Sequence, residues 1–356
     1  MSAKPQKQTP VIPIRSIQEL HWVVLSLAII LIALIGMAFH YLSPILKPLF
    51  IALFIYFLAR PAARFLMRLH FPYWAAHLIT ILLLIAIFIV MAFTVYHNIS
   101  QFEKKIPEYK PKLIRLLDRL DQWTYPEFNL KEYVTENLFK DIELEPFIKY
   151  MFGTIMSFFA NLIVVLIYLL FIILEAQKLP LRIEKAFSQK IANITLEIGH
   201  KISHGINNYL LLKTAISLAT GITAGVILFS FSLDYWLLWA CITFLFNYIP
   251  YIGSIAATAF PFLLACLQFV DDPTKIVMIG ILLWLTQFFW GNILDPYLAG
   301  KYLDVSPLVL LLVLAYWGWL WGIIGMVLAF PLAAAVKIFL SSLEQTRHIA
   351  ILISSD

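Results

Sequence analysis

The residues best suited to chemistry are polar side chains set inside long apolar stretches. Asp295 ends one such stretch, three positions after Asn292 and directly before Pro296. A carboxylate at a helix break can bind a cation or carry a proton while freed backbone carbonyls complete the coordination. The alternative role for Asp295 is a cap at the membrane surface. Because polar groups inside a membrane are costly, we favour the ion or proton site.

The apolar segment that ends at Asp295 also carries two amides. Asn292 lies three positions before the carboxylate and Gln287 lies eight before it. Helical spacing places Asn292 and Asp295 on adjoining turns of one face, with Gln287 loosely aligned. Such amides either bind a small polar solute or form hydrogen bonds between helices. The spacing leaves both roles open for Gln287.

A second polar stretch interrupts an apolar segment with helix-breaking residues. It contains Asn247, Pro250 and Gly253, and proline and glycine both weaken helices. A neutral amide beside free backbone groups can bind a small polar solute, so we predict a solute site here. Lys213, in an earlier apolar segment, either extends its ammonium to the membrane surface or pairs with Asp295.

The bulk composition indicates a membrane protein. Hydrophobic residues make up 62% of the 356 and charged residues 13%, against about 45–50% and about 25% in soluble domains. The predicted fold is therefore all-α and polytopic, with the lipid bilayer as its main partner. The excess cations lie in short runs between apolar segments, as topology signals do, so we expect no nucleic-acid partner.

Apolar segments near the roughly 20 residues that cross a bilayer define the predicted spans. Six full spans are predicted, at 19–41, 44–59, 75–98, 151–174, 207–231 and 276–293. Two stretches, 235–270 and 306–340, are too long for one span and are interrupted near the middle. They are predicted to be re-entrant hairpins, although hydropathy alone would also allow paired spans and about eight crossings in total.

These spans divide the chain into predicted domains. The predicted domains are a disordered cytoplasmic tail (1–18), scaffold spans (19–98), a charged amphipathic-helical extracytoplasmic insert (99–150), a span with a cytoplasmic amphipathic helix (151–206), a transport bundle (207–340) and a cytoplasmic tail (341–356). The orientation follows from Arg60, Arg64 and Arg68, which occupy one loop without an acid and place it in the cytoplasm. Both termini are then cytoplasmic.

A short sequence match suggests an internal repeat in the C-terminal half. Residues 259–265 read AFPFLLA and residues 329–335 read AFPLAAA. The match pairs a unit at 207–270 with a unit at 275–340, each a span followed by a hairpin. With one span per unit the second unit enters the membrane from the opposite side, which is the inverted repeat of secondary transporters.

Several stretches together resemble the autoinducer-2 exporter family of bacterial inner-membrane proteins. They are NYIPYIGS at 247–254, Asp295-Pro296 with Gly300, LDVSP at 303–307 and GIIGMVLAFP at 322–331. The resemblance implies a transporter and a homo-oligomer in the bacterial inner membrane, with export of signalling molecules and Na⁺/H⁺ antiport both proposed for the family. Two departures, Asp295 where glutamate is frequent and Ser254 where proline is common, weaken any transfer of the substrate.

The common sequence motifs of ATP-driven pumps and of several enzyme classes do not occur in the sequence. No GxxxxGK[ST] loop, GxSxG elbow or Cys/His nucleophile arrangement occurs, so we expect neither an ATP-driven pump nor an enzyme. His200 and His204 share a helix face, which favours a solvated surface over a metal site because no third ligand is near. Trp22, Trp74, Tyr209 and Trp236 lie near predicted span ends, as interfacial aromatic residues do.

The sequence therefore predicts an ion-gradient-driven secondary transporter of a small polar solute, or a monovalent cation/proton antiporter. Na⁺ or H⁺ is the expected coupling ion, and no other cofactor is expected. The alternative is a membrane scaffold or sensor that acts through the insert at 99–150.

Overall fold

The computed structural model describes residues 34–121, 162–295, 297 and 305–355, with five isolated positions before residue 34. Within these ranges the chain is helical and has no strand, as predicted. The helices are α1 (Ser43–Arg68), α2 (Tyr73–Asp121), α3 (Leu162–Ala176), α4 (Leu179–Ala186), α5 (Gln189–Ser230), α6 (Trp236–Phe246), α7 (Ile252–Gln268), α8 (Pro273–Gln287), α9 (Pro307–Trp321), α10 (Ile323–Ser342) and α11 (Arg347–Leu352). The chain forms two compact units, Met1–Lys47 and Pro48–Asp356, and the contacts described below lie in the second.

The polytopic helical class predicted from the sequence is confirmed. Five helices of the described chain are long and apolar enough to cross a membrane, or six if α3 and α4, which meet at 55°, form one span. The helices α1 and α2 contain the predicted spans 44–59 and 75–98, and α5 contains the span 207–231 except for its last residue. The span 276–293 is formed by α8 and the π-helical stretch Phe288–Leu294 that continues it. The predicted span 19–41 and the start of the span at 151–174 lie largely outside the described residues.

Two predicted domain boundaries fall inside single helices. The helix α2 is 49 residues long and passes residue 99 without a break, although it contains Pro107 and Pro111. The helix α5 is 42 residues long and passes residue 207 in the same way. The first part of the predicted insert is thus a continuation of a span, and 122–150 lie outside the described residues.

The two stretches predicted to be re-entrant hairpins are each a pair of helices joined by a short turn. Re-entry itself stays a prediction, since α10 has 20 residues and is long and apolar enough to cross a membrane. Hairpin 1 consists of α6 and α7, and hairpin 2 consists of α9 and α10. The helices α6, α7 and α9 have 11, 17 and 15 residues, which is short of the roughly 20 that cross a bilayer. Hairpin 2 reverses at Gly322, whose φ of 67° suits a residue without a Cβ.

Each hairpin closes on a glycine that follows its turn. A methyl group at Gly253 would lie 1.8 Å from the carbonyl oxygen of Phe246, and one at Gly325 would lie 1.9 Å from that of Trp317. The two arms of each hairpin therefore touch backbone to backbone. The order of helix, hairpin, helix, hairpin is the one that the predicted repeat requires, and its inversion across the membrane stays a prediction.

The part of α2 after Asn98, called the α2 extension below, packs on the same end of the molecule as the loops around hairpin 1. Tyr109 is buried in one cluster with Leu228, Leu264 and Leu283. Its hydroxyl donates to Asp234 at 2.7 Å, and the Lys105 ammonium pairs with the same carboxylate at 2.9 Å.

A second polar contact lies further along the extension. Arg115 and Arg119 both pair with Asp271, at 2.9 and 3.2 Å. Leu117, which lies between these two arginines in the sequence, is buried. The described part of the predicted insert is thus a packed element of the membrane domain.

Candidate functional site

A buried ion pair joins the two predicted repeat units. The Lys213 ammonium on α5 lies 2.5 Å from the Asp295 carboxylate, and their side chains are 4% and 20% exposed. At this burial the lysine cannot extend to a membrane surface, so the structure supports the pairing interpretation of Lys213. A pair of this kind is stable only while both partners are present, because either charge alone would be buried without compensation.

The ion pair opens onto a cavity of about 940 Å³. The cavity lies between α5, α7, α8 and hairpin 2, so both predicted repeat units contribute to its walls. Five of the predicted site residues line it, namely Lys213, Pro250, Gln287, Asn292 and Asp295. This volume is in the range of pockets that enclose a small solute, about 300–1,000 Å³.

The polar face of the cavity depends on a widened helical turn. After Gln287, α8 continues as a π-helical stretch, Phe288–Leu294, and the N–H of Asp295 donates to the carbonyl of Trp290, five residues earlier. Such π-helical turns are frequent at functional sites. The stretch carries Gly291 and Asn292, which line the cavity together with Gln287 and Asp295.

Gln287 presents an unsatisfied acceptor at this cavity. The residue is 9% exposed, and among the described residues no donor reaches its Oε1 atom. A Cβ atom at Gly291 would lie 3.5 Å from this oxygen, so residue 291 lies directly beside the buried acceptor. A buried acceptor without a partner costs about 1–3 kcal/mol, and a solute that donates a hydrogen bond would remove that cost.

Asn247 and Gly253 are not among the residues that line the cavity. Asn247 is 2% exposed, and its amide donates to the Ser217 hydroxyl at 3.2 Å. The neighbouring Tyr248 hydroxyl donates to Thr214 at 2.7 Å. In this arrangement the two side chains attach the turn of hairpin 1 to α5, while Gly253 lets its arms approach.

The turn of hairpin 1 has a strained backbone where it faces the cavity. Tyr251 has φ 61° and ψ −63°, and the N–H of Ile252 donates to the carbonyl of Pro250 at 2.7 Å. This is a γ-turn of the rare positive-φ form. Strain of this kind costs about 1–3 kcal/mol and persists where the surrounding structure holds the turn in place.

Sequence reasoning missed several lining residues. Tyr209 was predicted to be an interfacial aromatic residue, and this is wrong, because it is 4% exposed and stacks on Phe330 with ring centroids 6.3 Å apart. Its position one helical turn before Lys213 could have revealed it. Ser254 and Thr258 also line the cavity, and their spacing of four residues places them on one face of α7.

Comparison with known proteins identifies the family of the chain. Residues 27–345 match the family described as AI-2E family transporter. A protein of Borreliella burgdorferi is 29% identical over 329 residues, 91% of this chain and 88% of its own length, and its name proposes transport without a substrate. The AI-2 transport protein TqsA of Escherichia coli K12 is 27% identical over 338 residues, 93% of this chain and 95% of its own. Since the family match spans most of the chain, the protein belongs to the AI-2E transporter family.

Proposed function

We propose that this transporter is ion-coupled and moves a small polar solute through the cavity, with H⁺ or Na⁺ as the coupling ion. The observation that carries the proposal is the Lys213–Asp295 pair, a buried ion pair on the wall of a solute-sized cavity. Ionisable residues inside a membrane domain are expensive, and they commonly mark ion and substrate pathways.

The polar groups of the cavity favour a solute that donates hydrogen bonds. The Asp295 carboxylate accepts, and so does the unpartnered Oε1 of Gln287. The hydroxyls of Ser254 and Thr258 are close by on α7. A solute with several hydroxyl or amino groups could satisfy both acceptors, while the aromatic walls contact its apolar edges.

Competition for Asp295 supplies the coupling step of the proposal. A proton or Na⁺ on the carboxylate neutralises its charge and weakens the hydrogen bonds that it accepts from Lys213 and from a solute. Solute and ion then exclude one another at one site, which is the condition for exchange in opposite directions. Lys213 returns to the carboxylate when neither is bound, so that the empty site contains no unpaired charge.

Alternating access would come from movement of the hairpin-bearing bundle against the first spans. The cavity walls come from both predicted repeat units, and repeat interfaces are where transporters bind substrate. We also propose the finer assignments made from the resemblance, namely a homo-oligomer in the bacterial inner membrane with both termini in the cytoplasm.

The substrate is proposed only as a chemical class. The relative TqsA is named for AI-2 transport, and a signalling molecule of that kind is one candidate for this chain. A monovalent cation/proton antiporter without an organic solute is the second candidate, since the same carboxylate could exchange Na⁺ for H⁺.

A flux screen in proteoliposomes tests the proposal. The purified protein would be given H⁺ or Na⁺ gradients and a panel of radiolabelled small polar metabolites. We expect gradient-driven accumulation of at least one solute, abolished when an ionophore collapses the gradient. If no solute or ion moves faster than in empty liposomes under any gradient, the proposal fails and the scaffold or sensor alternative is favoured.

A further inference from the structure

A second polar cavity lies away from the ion pair, between α1, α5 and α10. It has a volume of about 580 Å³. Its charged and imidazole side chains are Arg60, Arg64, His200, Lys201 and His204, and these five residues define the basic pocket. We propose that the basic pocket binds a phosphate group, a ligand that the solute cavity and the ion-coupling step do not require.

The charge of the basic pocket is of one sign. Among the described residues that line it none is acidic. Lys201 pairs with Glu197 one helical turn earlier at 2.7 Å, but both side chains are more than half exposed, and such surface pairs are weak. Three permanent cations from two helices therefore line one concave space, and their shared positive potential favours an anion there.

The hydrogen-bond donors of the basic pocket are held in place. The Arg60 guanidinium donates to the Ser203 hydroxyl across from α1 to α5. The amide of Asn208 lies 3.1 Å from Nδ1 of His204, and an amide donor on Nδ1 leaves the proton of the neutral ring on Nε2. His204 can therefore donate a hydrogen bond to an anion as well.

Close packing forms the floor of the basic pocket. A methyl group at Gly205 would lie 2.8 Å from Cδ1 of Ile338, so α5 and α10 are in tight contact there. The pocket is thus a cleft between three helices with a closed base and a cationic rim. Guanidinium groups bind phosphate oxygens in pairs, which makes arginines at such a rim good phosphate ligands.

The position of the basic pocket favours a phosphate carried by a lipid. Along α5 the exposed charged residues, such as Lys190 and Lys201, come before His204, and the mostly apolar half begins at Ile206, with the buried Lys213 as its charged residue. A cleft at this transition lies at the depth of lipid headgroups, where basic pockets between helices bind anionic lipids. A free phosphate compound would use the same donors, and the experiment separates the two sources.

The test uses the full-length protein in detergent and compares two double variants. Arg64→Gln with Lys201→Gln removes two exposed cations of the basic pocket. Lys178→Gln with Lys190→Gln removes two exposed cations outside it and is the matched control. Native mass spectrometry would measure the binding of phosphatidylglycerol and phosphatidylcholine, and a thermal-shift titration would measure inorganic phosphate.

We expect the pocket variant to bind phosphatidylglycerol about tenfold or more weakly than the wild type, since each basic residue near a membrane surface contributes several-fold to anion affinity. The control variant should bind within about twofold of wild type, and phosphatidylcholine should bind weakly to all three. A loss confined to inorganic phosphate would support a free phosphate ligand. If the wild type and both variants bind phosphatidylglycerol equally and also bind inorganic phosphate equally, the proposal is overturned.

If the double variant fails to fold, Arg64→Gln alone gives the same comparison, because it leaves the Lys201–Glu197 pair in place.

Discussion

At the scale of single residues, the behaviour of the site depends on Lys213 and Asp295. Each is the described counter-charge of the other, at 2.5 Å in a largely buried setting. The pair contributes little as a whole, because both charges have left water, but losing one partner leaves the other buried and uncompensated. This asymmetry separates a coupling pair from a surface ion pair.

Asp295→Asn should lower the stability of the protein by about 3 kcal/mol, since it leaves the Lys213 ammonium buried without a counter-charge. The double variant Asp295→Asn with Lys213→Met should recover much of that loss. Thermal unfolding in detergent would measure both. A single variant as stable as the wild type would show that the ion pair does not form in solution.

Gln287→Met should leave the stability unchanged or raise it by about 1 kcal/mol, because it removes a buried acceptor that has no described partner. The same change should weaken the binding of a transported solute, since the acceptor would be missing. Thermal unfolding and solute-dependent thermal shift would measure the two effects on the same samples. If Gln287→Met is destabilising, its Oε1 has a structural partner and the proposed contact with solute is wrong.

The sequence predicted part of the site because helical spacing is a local property. Asn292 and Asp295 were expected on one face, and both line the cavity. The side on which Asn247 lies depends on the turn after α6, where φ and ψ are set by contacts with α5. The spacing of residues within the segment does not determine these contacts. It therefore could not show whether Asn247 binds a solute or attaches the turn to α5.

At the scale of elements, the extension of α2 holds hairpin 1 through Asp234. Burial raises the pKa of Asp234, but the hydrogen bonds from Lys105 and Tyr109 together lower it by more than burial raises it. The pKa of Asp234 therefore lies below its ordinary value. A carboxyl group with a lowered pKa stabilises the folded state at pH values above its unfolded-state pKa of about 3.9. This stabilisation is lost as the pH falls through the folded-state pKa. The pKa of Lys105 is raised mainly by the same bond, so its contribution is lost only in strong alkali.

Asp234→Asn should therefore loosen the α2 extension at neutral pH. We expect faster hydrogen–deuterium exchange of backbone amides at 102–119, with the rest of α2 unaffected. Glu108→Gln changes an exposed carboxylate of the same helix to an amide and is the matched control. Acidification of the wild type below about pH 4 should reproduce the loosening. Equal exchange in both variants would show that packing alone holds the extension.

The glycines that close the hairpins allow a second test at this scale. Gly253→Ala and Gly325→Ala should each lower the unfolding temperature by several degrees, because the added methyl group would overlap a backbone carbonyl. Gly199→Ala is the control, since nothing lies within 4 Å of a Cβ atom at that position. That helical substitution should be neutral or stabilising. Equal effects at all three positions would contradict the close approach of the hairpin arms.

Element ends were less predictable than element types. The sequence placed a boundary near residue 99, where the composition turns polar, yet α2 continues because buried Tyr109 and Leu117 pack the extension against hairpin 1 and its neighbours. The π-helical stretch after Gln287 was not predicted either. Its widened turn requires tertiary contacts that no local pattern reveals, although Gly291 and Pro296 mark the region as irregular.

At the scale of the whole molecule, α5 precedes hairpin 1, α8 precedes hairpin 2, and the cavity lies among these elements. Lys213 comes from the first predicted unit and Asp295 from the second, so any movement of one unit against the other changes their separation. The hydropathy of the sequence predicted this order of elements because apolar length is a robust signal. The sequence left two roles open for Lys213, extension to the membrane surface or pairing with Asp295, because the pairing depends on how the two units pack.

The central claim is that Asp295 couples ion and solute movement, and gradient-driven flux through Asp295→Asn tests it most directly. Wild type, Asp295→Asn and the control Glu184→Gln, an exposed carboxylate outside the cavity, would be reconstituted at equal density. The account predicts that the wild type and the control accumulate solute under an imposed H⁺ or Na⁺ gradient, whereas Asp295→Asn does not, because an amide can neither exchange a proton nor bind a cation as a carboxylate does. Equal gradient-driven flux through Asp295→Asn would contradict it.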